Sequence, residues 1–265
     1  MTRITPKFTF LEHDGCLAFA HRGGAGDQLE NTMEAFAHAV ALGYRYVETD
    51  VHATEDGVLL AFHDDKLDRV TDRRGRIAAM PHAEVRQARV GGHAPIPLLQ
   101  DVLASWPEIR LNIDPKSDQA VRPLINTLKD LNAVGRVCIT SFSDRRNRRI
   151  RRELGDEICT GMGPGEVWRL AGHSIGLPFG GFQAGCAQVP LSYRGIPIVT
   201  RRFVEAAHRH NLQVHVWTVD CPDEMARLLD LGVDGLMTDQ AAVLKQELSA
   251  RGKWQDSTPP GESQT

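Results

Sequence analysis

The chain has 265 residues, of which 42% are hydrophobic and 25% charged, with a formal net charge of −3. That composition supports a sizeable core in one large domain or two small ones, and it carries no global basic field that would point to nucleic acid. No apolar run approaches the roughly 18 residues of a membrane span, and the N-terminal stretch MTRITPKFTFLEHDG has no apolar signal core, so a soluble cytoplasmic protein with no transmembrane segment is expected.

In chain order, strand-like runs are predicted at 17–21, 44–51, 58–63, 109–114, 136–142, 157–161, 181–189, 213–219 and 235–239. Helix-like runs are predicted between most of them, at 31–43, 97–106, 118–132, 144–154, 165–171, 200–210, 222–231 and 240–250. Only HATEDG separates the second and third strands, too short for a crossover helix, so the third should fold back on the second. Setting it aside leaves eight strand–helix units, the count of a (β/α)8 TIM barrel. An open doubly wound sheet is the rival arrangement. The expected organisation is one barrel domain over 1–250, with a small insertion near 64–96 and a disordered tail over 251–265, where Pro, Gly and Ser gather. The arginine run from Arg145 to Arg152 reads as a solvated helix face. The five cysteines are scattered without CxxC spacing, which reads as buried free thiols and not a disulfide framework or zinc site.

A barrel places its chemistry at the C-terminal ends of its strands. His21 ends the first. Glu48 and Asp50 end the second, two residues apart and therefore on one face. His63 ends the third, Asp114 the fourth with Lys116 just beyond, and Trp217 and Asp220 close the VHVWTVD run. Three carboxylates without a cysteine partner are hard oxygen ligands that favour Mg²⁺, Ca²⁺ or Mn²⁺. Two histidines beside them can serve as general acid and base, while Arg22 and Lys116 can hold phosphate oxygens. Together these groups fit phosphodiester cleavage. Trp217 suits either barrel packing or a platform for the substrate's glycerol or alcohol. The other histidines, His13, His52, His82, His93 and His173, read as loop or surface residues.

The blocks HRGG…ENT…AF and YVETDVHATEDGVLLAFHDDKLDRVTD, followed by PIPLLQDVL, LNIDPK, VHVWTVD and LGVDGLMTD, resemble the glycerophosphodiester phosphodiesterase family over about residues 17–240. The resemblance implies a (β/α)8 barrel with a small insertion after the second strand. It also implies metal-dependent hydrolysis of glycerophosphodiesters to glycerol 3-phosphate and an alcohol. Carried onto this chain, it implies His21 and His63 as the acid–base pair, Glu48, Asp50 and Asp114 as ligands of a divalent cation, and Arg22 and Lys116 on the phosphate. Glu30 and Asn31 would shape the loop and cap the first helix. Two positions depart from the family pattern: Leu29 stands where proline is usual, and Asp114 where the third ligand is usually Glu. The second shortens reach by roughly one C–C bond, ~1.5 Å. The related sphingomyelinase D enzymes also use an Asp there. The alternatives are a lysophospholipase D or sphingomyelinase D-like enzyme acting on lipid phosphodiesters, and a non-catalytic binding barrel. A lipid enzyme would need an apolar patch for peripheral lipid contact near the mouth, for which Met80, Trp168, Leu170 and Phe179 are candidates.

Overall fold

A computed structural model describes residues 5–26, 28–177 and 180–255. Its frame is a ring of parallel strands: β1 (Leu17–Ala20), β2 (Tyr46–Ala53), β4 (Arg110–Pro115), β5 (Val137–Ile139), β6 (Cys159–Thr160), β7 (Cys186–Pro190), β8 (Gln213–Trp217) and β9 (Gly235–Thr238). The short β3 (Leu59–Ala61) lies outside the ring and pairs antiparallel with β2, as the short connection demands. β1 pairs with both β2 and β9, so first and last strands meet. The seam between β6 and β7 is held by Gly185 N–H to Thr160 O and Met162 N–H to Cys186 O, both 2.9 Å. These eight strands, with helices between them, form a TIM barrel.

Alternation along each strand sorts the side chains. Val47, Val51, Leu111, Ile113, Val137, Ile139, Val214 and Val216 face outward into one apolar layer beneath the helices. These helices are α1 (Met33–Ala41), α2 (Leu99–Ser105), α3 (Asp118–Asp130), α4 (Asp144–Leu154), α5 (Pro164–Ser174), α6 (Arg201–Arg209), α7 (Pro222–Leu231) and α8 (Ala241–Ala250). The opposite parity faces the barrel axis. At its N-terminal end lie Leu17, Phe19, Tyr46, Met237 and three cysteines, closed off by Phe8, Phe10 and Leu11. Arg110 fixes this plug by donating to the Phe10 and Glu12 carbonyls (3.0 and 2.6 Å), and Gln213 donates to Leu11 O (3.0 Å). No periodicity in that N-terminal segment predicts this plug. Midway up, Asn112 and Gln188 exchange amide hydrogen bonds of 3.1 and 2.9 Å across the axis. At the C-terminal ends the same columns turn acidic and basic.

Residues after β3 form a side lobe. Leu67, Ile77, Val85, Ala88, Val90 and Ala94 build a small cluster of their own with Leu60 and Phe62. The lobe holds a one-turn helix, His82–Val85, and a ribbon pairing Arg89–Val90 with Ala94–Pro95; neither was expected.

The structure corrects several sequence expectations. The N-cap of α1 is Thr32, whose hydroxyl accepts from Ala35 N–H at 3.2 Å. Asn31 instead sits at φ 55° and accepts from Thr49 Oγ1 at 2.7 Å. Within the expected 251–265 tail, Trp254 packs edge-on against Tyr44 and Arg251 pairs with Asp230; 256–265 lie outside the described residues. The run expected as strand over 181–189 is strand only from Cys186, ending at Pro190. The arginine run is not simply solvated: Arg146 donates to Pro115 O and Ser141 Oγ, and Arg151 to Thr160 and Glu166. Of the cysteines, Cys221 is exposed and the other four are buried.

Candidate active site

The loop after β1 explains the glycines that follow His21. Gly23 has φ +86°, and a Cβ there would meet Ala35 Cβ at 2.8 Å, so only glycine lets α1 pack this closely. Arg22 also adopts a left-handed backbone (φ 52°), which turns its N–H onto Glu48 Oε2 at 3.2 Å. His21 therefore projects over the barrel mouth. Its Nδ1 donates to Asp239 Oδ1 at 2.8 Å, and its Nε2 lies 3.8 Å from Glu48 Oε2. Burial works against protonation of this imidazole, but Glu48 and Asp239 outweigh it and hold His21 above the ordinary histidine value.

β2 and β4 run in register, with Asp50 opposite Asp114. Glu48, Asp50 and Asp114 are all buried. Lys116 Nζ bridges Asp50 Oδ1 (2.6 Å) and Asp114 Oδ2 (2.8 Å), and Arg22 Nε stands 3.4 Å from Asp50 Oδ2. Burial, with Asp50 beside it, pushes Glu48 up to about 7, and burial likewise raises Asp114. For Lys116, burial opposes the charge, but Asp114 and Asp50 hold it above the ordinary lysine value. One oxygen of Asp50 and one of Asp114 are buried without a hydrogen-bond partner. Three buried carboxylates, two of them with an oxygen to spare, are a donor set that suits a hard divalent cation.

His63 reaches the mouth from the end of β3. His52, expected at the surface, is buried and donates from Nε2 to the His63 carbonyl at 3.0 Å. His63 Nδ1 donates to Asp64 Oδ1 at 2.6 Å. Arg69 grips Asp64 with bonds of 2.6 and 3.0 Å and Glu30 with bonds of 2.7 and 2.8 Å. Glu30 in turn accepts from Arg22 at 3.1 Å. A continuous polar chain thus joins the two histidine loops. His63 and Lys116 both line the open groove between the side lobe and the barrel mouth. On the far side, Trp217 meets Phe142 edge-on at 5.7 Å between ring centroids, and Phe142 is 65% exposed.

The structure brings His21, Arg22, Glu48, Asp50, His63, Asp114, Lys116 and Trp217 to one end of the barrel. Sequence reasoning missed Asp239, Asp64 and Arg69 as supports; Glu30, expected to shape the loop, does so by accepting from Arg22 and Arg69. Asp239 was findable, since it ends the last strand as His21 ends the first. Asp220, read as a strand-end polar residue, accepts from Asp239 N–H and Thr238 Oγ1 (2.8 and 2.9 Å) and so orients the residue that holds His21. Of the apolar candidates for lipid contact, Leu170 is wholly buried, Met80 packs into the side lobe, Trp168 is exposed, and Phe179 lies outside the described residues. Among the described residues no helix is long and apolar enough to cross a membrane.

The mouth of this TIM barrel thus carries two histidines, three buried carboxylates and the cations Arg22 and Lys116, at the end of the fold where barrel enzymes keep their active sites. Residues 21–243 match the model of the Glycerophosphoryl diester phosphodiesterase family. The chain is 40% identical over 256 residues to "Probable glycerophosphodiester phosphodiesterase 2" of Mycobacterium tuberculosis, covering 94% of this chain and 97% of that one. A crystal structure from Silicibacter pomeroyi superimposes with a TM-score of 0.78 at 24% identity, covering 92% and 98% of the two chains. A phosphodiesterase from Oleispira antarctica, solved with the product sn-glycerol-3-phosphate, gives 0.75 at 22% identity, covering 89% and 97%. The chain belongs to the glycerophosphoryl diester phosphodiesterase family, a family of phosphodiester hydrolases.

Proposed function

We propose that the chain hydrolyses glycerophosphodiesters to glycerol 3-phosphate and an alcohol, with His21 and His63 moving the protons. The observation that carries this reading is the convergence of both histidines on a buried carboxylate cluster bordered by Arg22 and Lys116. Cleavage requires a proton to leave the attacking oxygen and another to reach the departing alcohol. His21, oriented by Asp239, and His63, oriented by Asp64, each keep Nε2 free of a carboxylate hydrogen bond among the described residues, available for these transfers. Arg22 and Lys116 bind the non-bridging phosphoryl oxygens, whose charge grows in the transition state. Glu48, Asp50 and Asp114 would hold a divalent cation, Mg²⁺, Ca²⁺ or Mn²⁺, which when bound supplies further charge stabilisation to those oxygens. Trp217 and Phe142 form an apolar wall suited to the carbon skeleton of the glycerol or alcohol. The Oleispira antarctica enzyme's product, sn-glycerol-3-phosphate, supports glycerol 3-phosphate as the retained half.

The test is turnover of a panel of glycerophosphodiesters and lysophospholipids, with and without chelator, the phosphorus products being identified by NMR. Glycerol 3-phosphate released from soluble diesters, lost on chelation and restored by a hard cation, is the expected result. Cleavage of lysophospholipids alone would move the assignment to a lysophospholipase D. Full turnover in excess chelator by metal-free protein would refute the ligand assignment.

A further inference from the structure

Three cysteines far apart in sequence meet inside the barrel. Cys138 on β5, Cys159 on β6 and Cys186 on β7 all point to the axis and are all fully buried. Their sulfurs lie within 4.8 Å of one another, and Cys138 and Cys186 are 4.0 Å apart. No disulfide joins them; all three are free thiols. The register produces the cluster: Cys138 pairs with Cys159 across β5–β6, and Gly161 bridges Cys186 across the seam, so alternation turns all three inward at neighbouring heights. This explains why sequence spacing pointed away from a metal site. The ligands come one per strand, with no CxxC pair.

We propose that this trio is a binding site for a soft d¹⁰ cation, Cu⁺, in the closed end of the barrel, separate from the carboxylate cluster at the mouth. Metal–sulfur bonds of about 2.3 Å set ligand sulfurs in a trigonal site about 4 Å apart, the Cys138–Cys186 separation already present. Thiolate sulfur selects Cu⁺ over the hard ions suited to the mouth. Structural zinc sites are almost always four-coordinate, and among the described residues no fourth histidine, cysteine or carboxylate joins this cluster. Burial holds the Cys159 thiol well above the ordinary value, and the adjoining Cys138 sulfur, with burial behind it, does the same for Cys186. Metal binding must therefore displace thiol protons, which leave to solvent as each Cu–S bond to a thiolate forms. Phe8, Phe10 and Leu11 close the barrel beside the trio, so the ion enters during folding or when that plug opens.

The test uses Cu⁺ itself, supplied anaerobically during refolding from denaturant, in a Cys221→Ala background that removes the exposed thiol. After exchange against a competing Cu⁺ chelator, one copper per chain is expected, with three sulfur neighbours in copper-edge X-ray absorption and a raised melting temperature. Cys159→Ala and Cys186→Ala should each weaken retention at least about tenfold, as expected when one ligand is lost. Cys16→Ala, which removes a buried thiol outside the trio, should retain the metal. No copper retained by the refolded parent, or undiminished retention in both trio variants, would show that the three thiols only fill the barrel. Should the variants fail to fold, fewer than three sulfur neighbours in the parent would overturn the site on its own. Zinc retained in place of copper, with the same three sulfurs, would overturn the choice of ion. None of these outcomes bears on phosphodiester hydrolysis at the mouth.

Discussion

His21 and His63 are held by the same device: a carboxylate on Nδ1, at 2.8 Å for Asp239 and 2.6 Å for Asp64, which fixes the ring and leaves Nε2 to the mouth. General acid–base catalysis contributes roughly 10²–10⁴-fold per group. His21→Ala and His63→Ala should each lose at least that much in kcat while keeping the fold. If the two act in one proton cycle, as proposed, the double variant should be little worse than the poorer single. An activated leaving group such as p-nitrophenol needs no proton, so it should selectively rescue whichever variant lacks the acid. Near wild-type kcat in either folded single variant would break the pair mechanism. Asp114 offers a finer probe. If its orphan oxygen faces the cation, Asp114→Asn should weaken divalent-ion activation by about 10–100-fold, as loss of metal-site support does. Asp114→Glu, the residue usual in the family, should keep activation. Equal activation constants for parent and Asp114→Asn would remove Asp114 from the ligand set.

At the scale of elements, the barrel strands and helices were legible because the outward columns are continuous Val, Ile and Leu while the inward ones end in His, Glu or Asp. Helix limits were legible where caps are local: Ser143 begins α4 by accepting from Arg146 N–H, and Gly232 ends α7 in the left-handed region. What was not legible depends on contacts between distant segments. The Phe8–Leu11 plug has no periodicity of its own, and its partners Arg110 and Gln213 come about 100 and 200 residues later. The cysteine trio needed strand register. Asp64 and Arg69 carry no local signal of a role; only the side lobe sets Arg69 between Asp64 and Glu30. That lobe gives the third prediction. Arg69 is 47% exposed, so its ion pairs add little to stability, under about 1 kcal/mol. Yet it is the sole residue bonded to both Asp64 and Glu30 among the described hydrogen bonds. Arg69→Ala should leave the unfolding midpoint nearly unchanged and lower kcat by about tenfold to 10²-fold through misplacement of His63. Unaltered kcat would show that the lobe does not position the histidine.

The whole barrel is a graded column: apolar plug, thiols, neutral amides, then charge at the mouth. The neutral layer keeps the charged end and the apolar end compatible. His215 sits in it, fully buried, its Nε2 donating to Gln213 Oε1 at 3.0 Å and its Nδ1 accepting from Gln188 Nε2 at 3.3 Å. Protonation would put a second N–H against the Gln188 amide and a charge where no carboxylate answers it. Burial accordingly lowers His215 to about 3 from the ordinary 6.5. The folded chain then binds fewer protons than the unfolded one between those values. The stability linked to neutral His215 is fully present above pH 6.5 and is lost as pH falls toward 3. Glu48 and Asp114 act in the opposite sense, since their raised values favour the folded state at low pH and that contribution fades as pH rises. Both remain in a His215→Gln variant, so a comparison with the parent cancels them. Each pH unit over the window corresponds to about 1.4 kcal/mol. Between pH 7 and pH 4 the parent should therefore lose about 3 kcal/mol more unfolding free energy than His215→Gln, whatever packing the substitution alters at neutral pH. Denaturant unfolding across that range, on protein stripped of metal, measures the difference in slope. Parallel curves for the two proteins would mean that His215 is not held neutral, and that the amide layer does not insulate the mouth from the closed end.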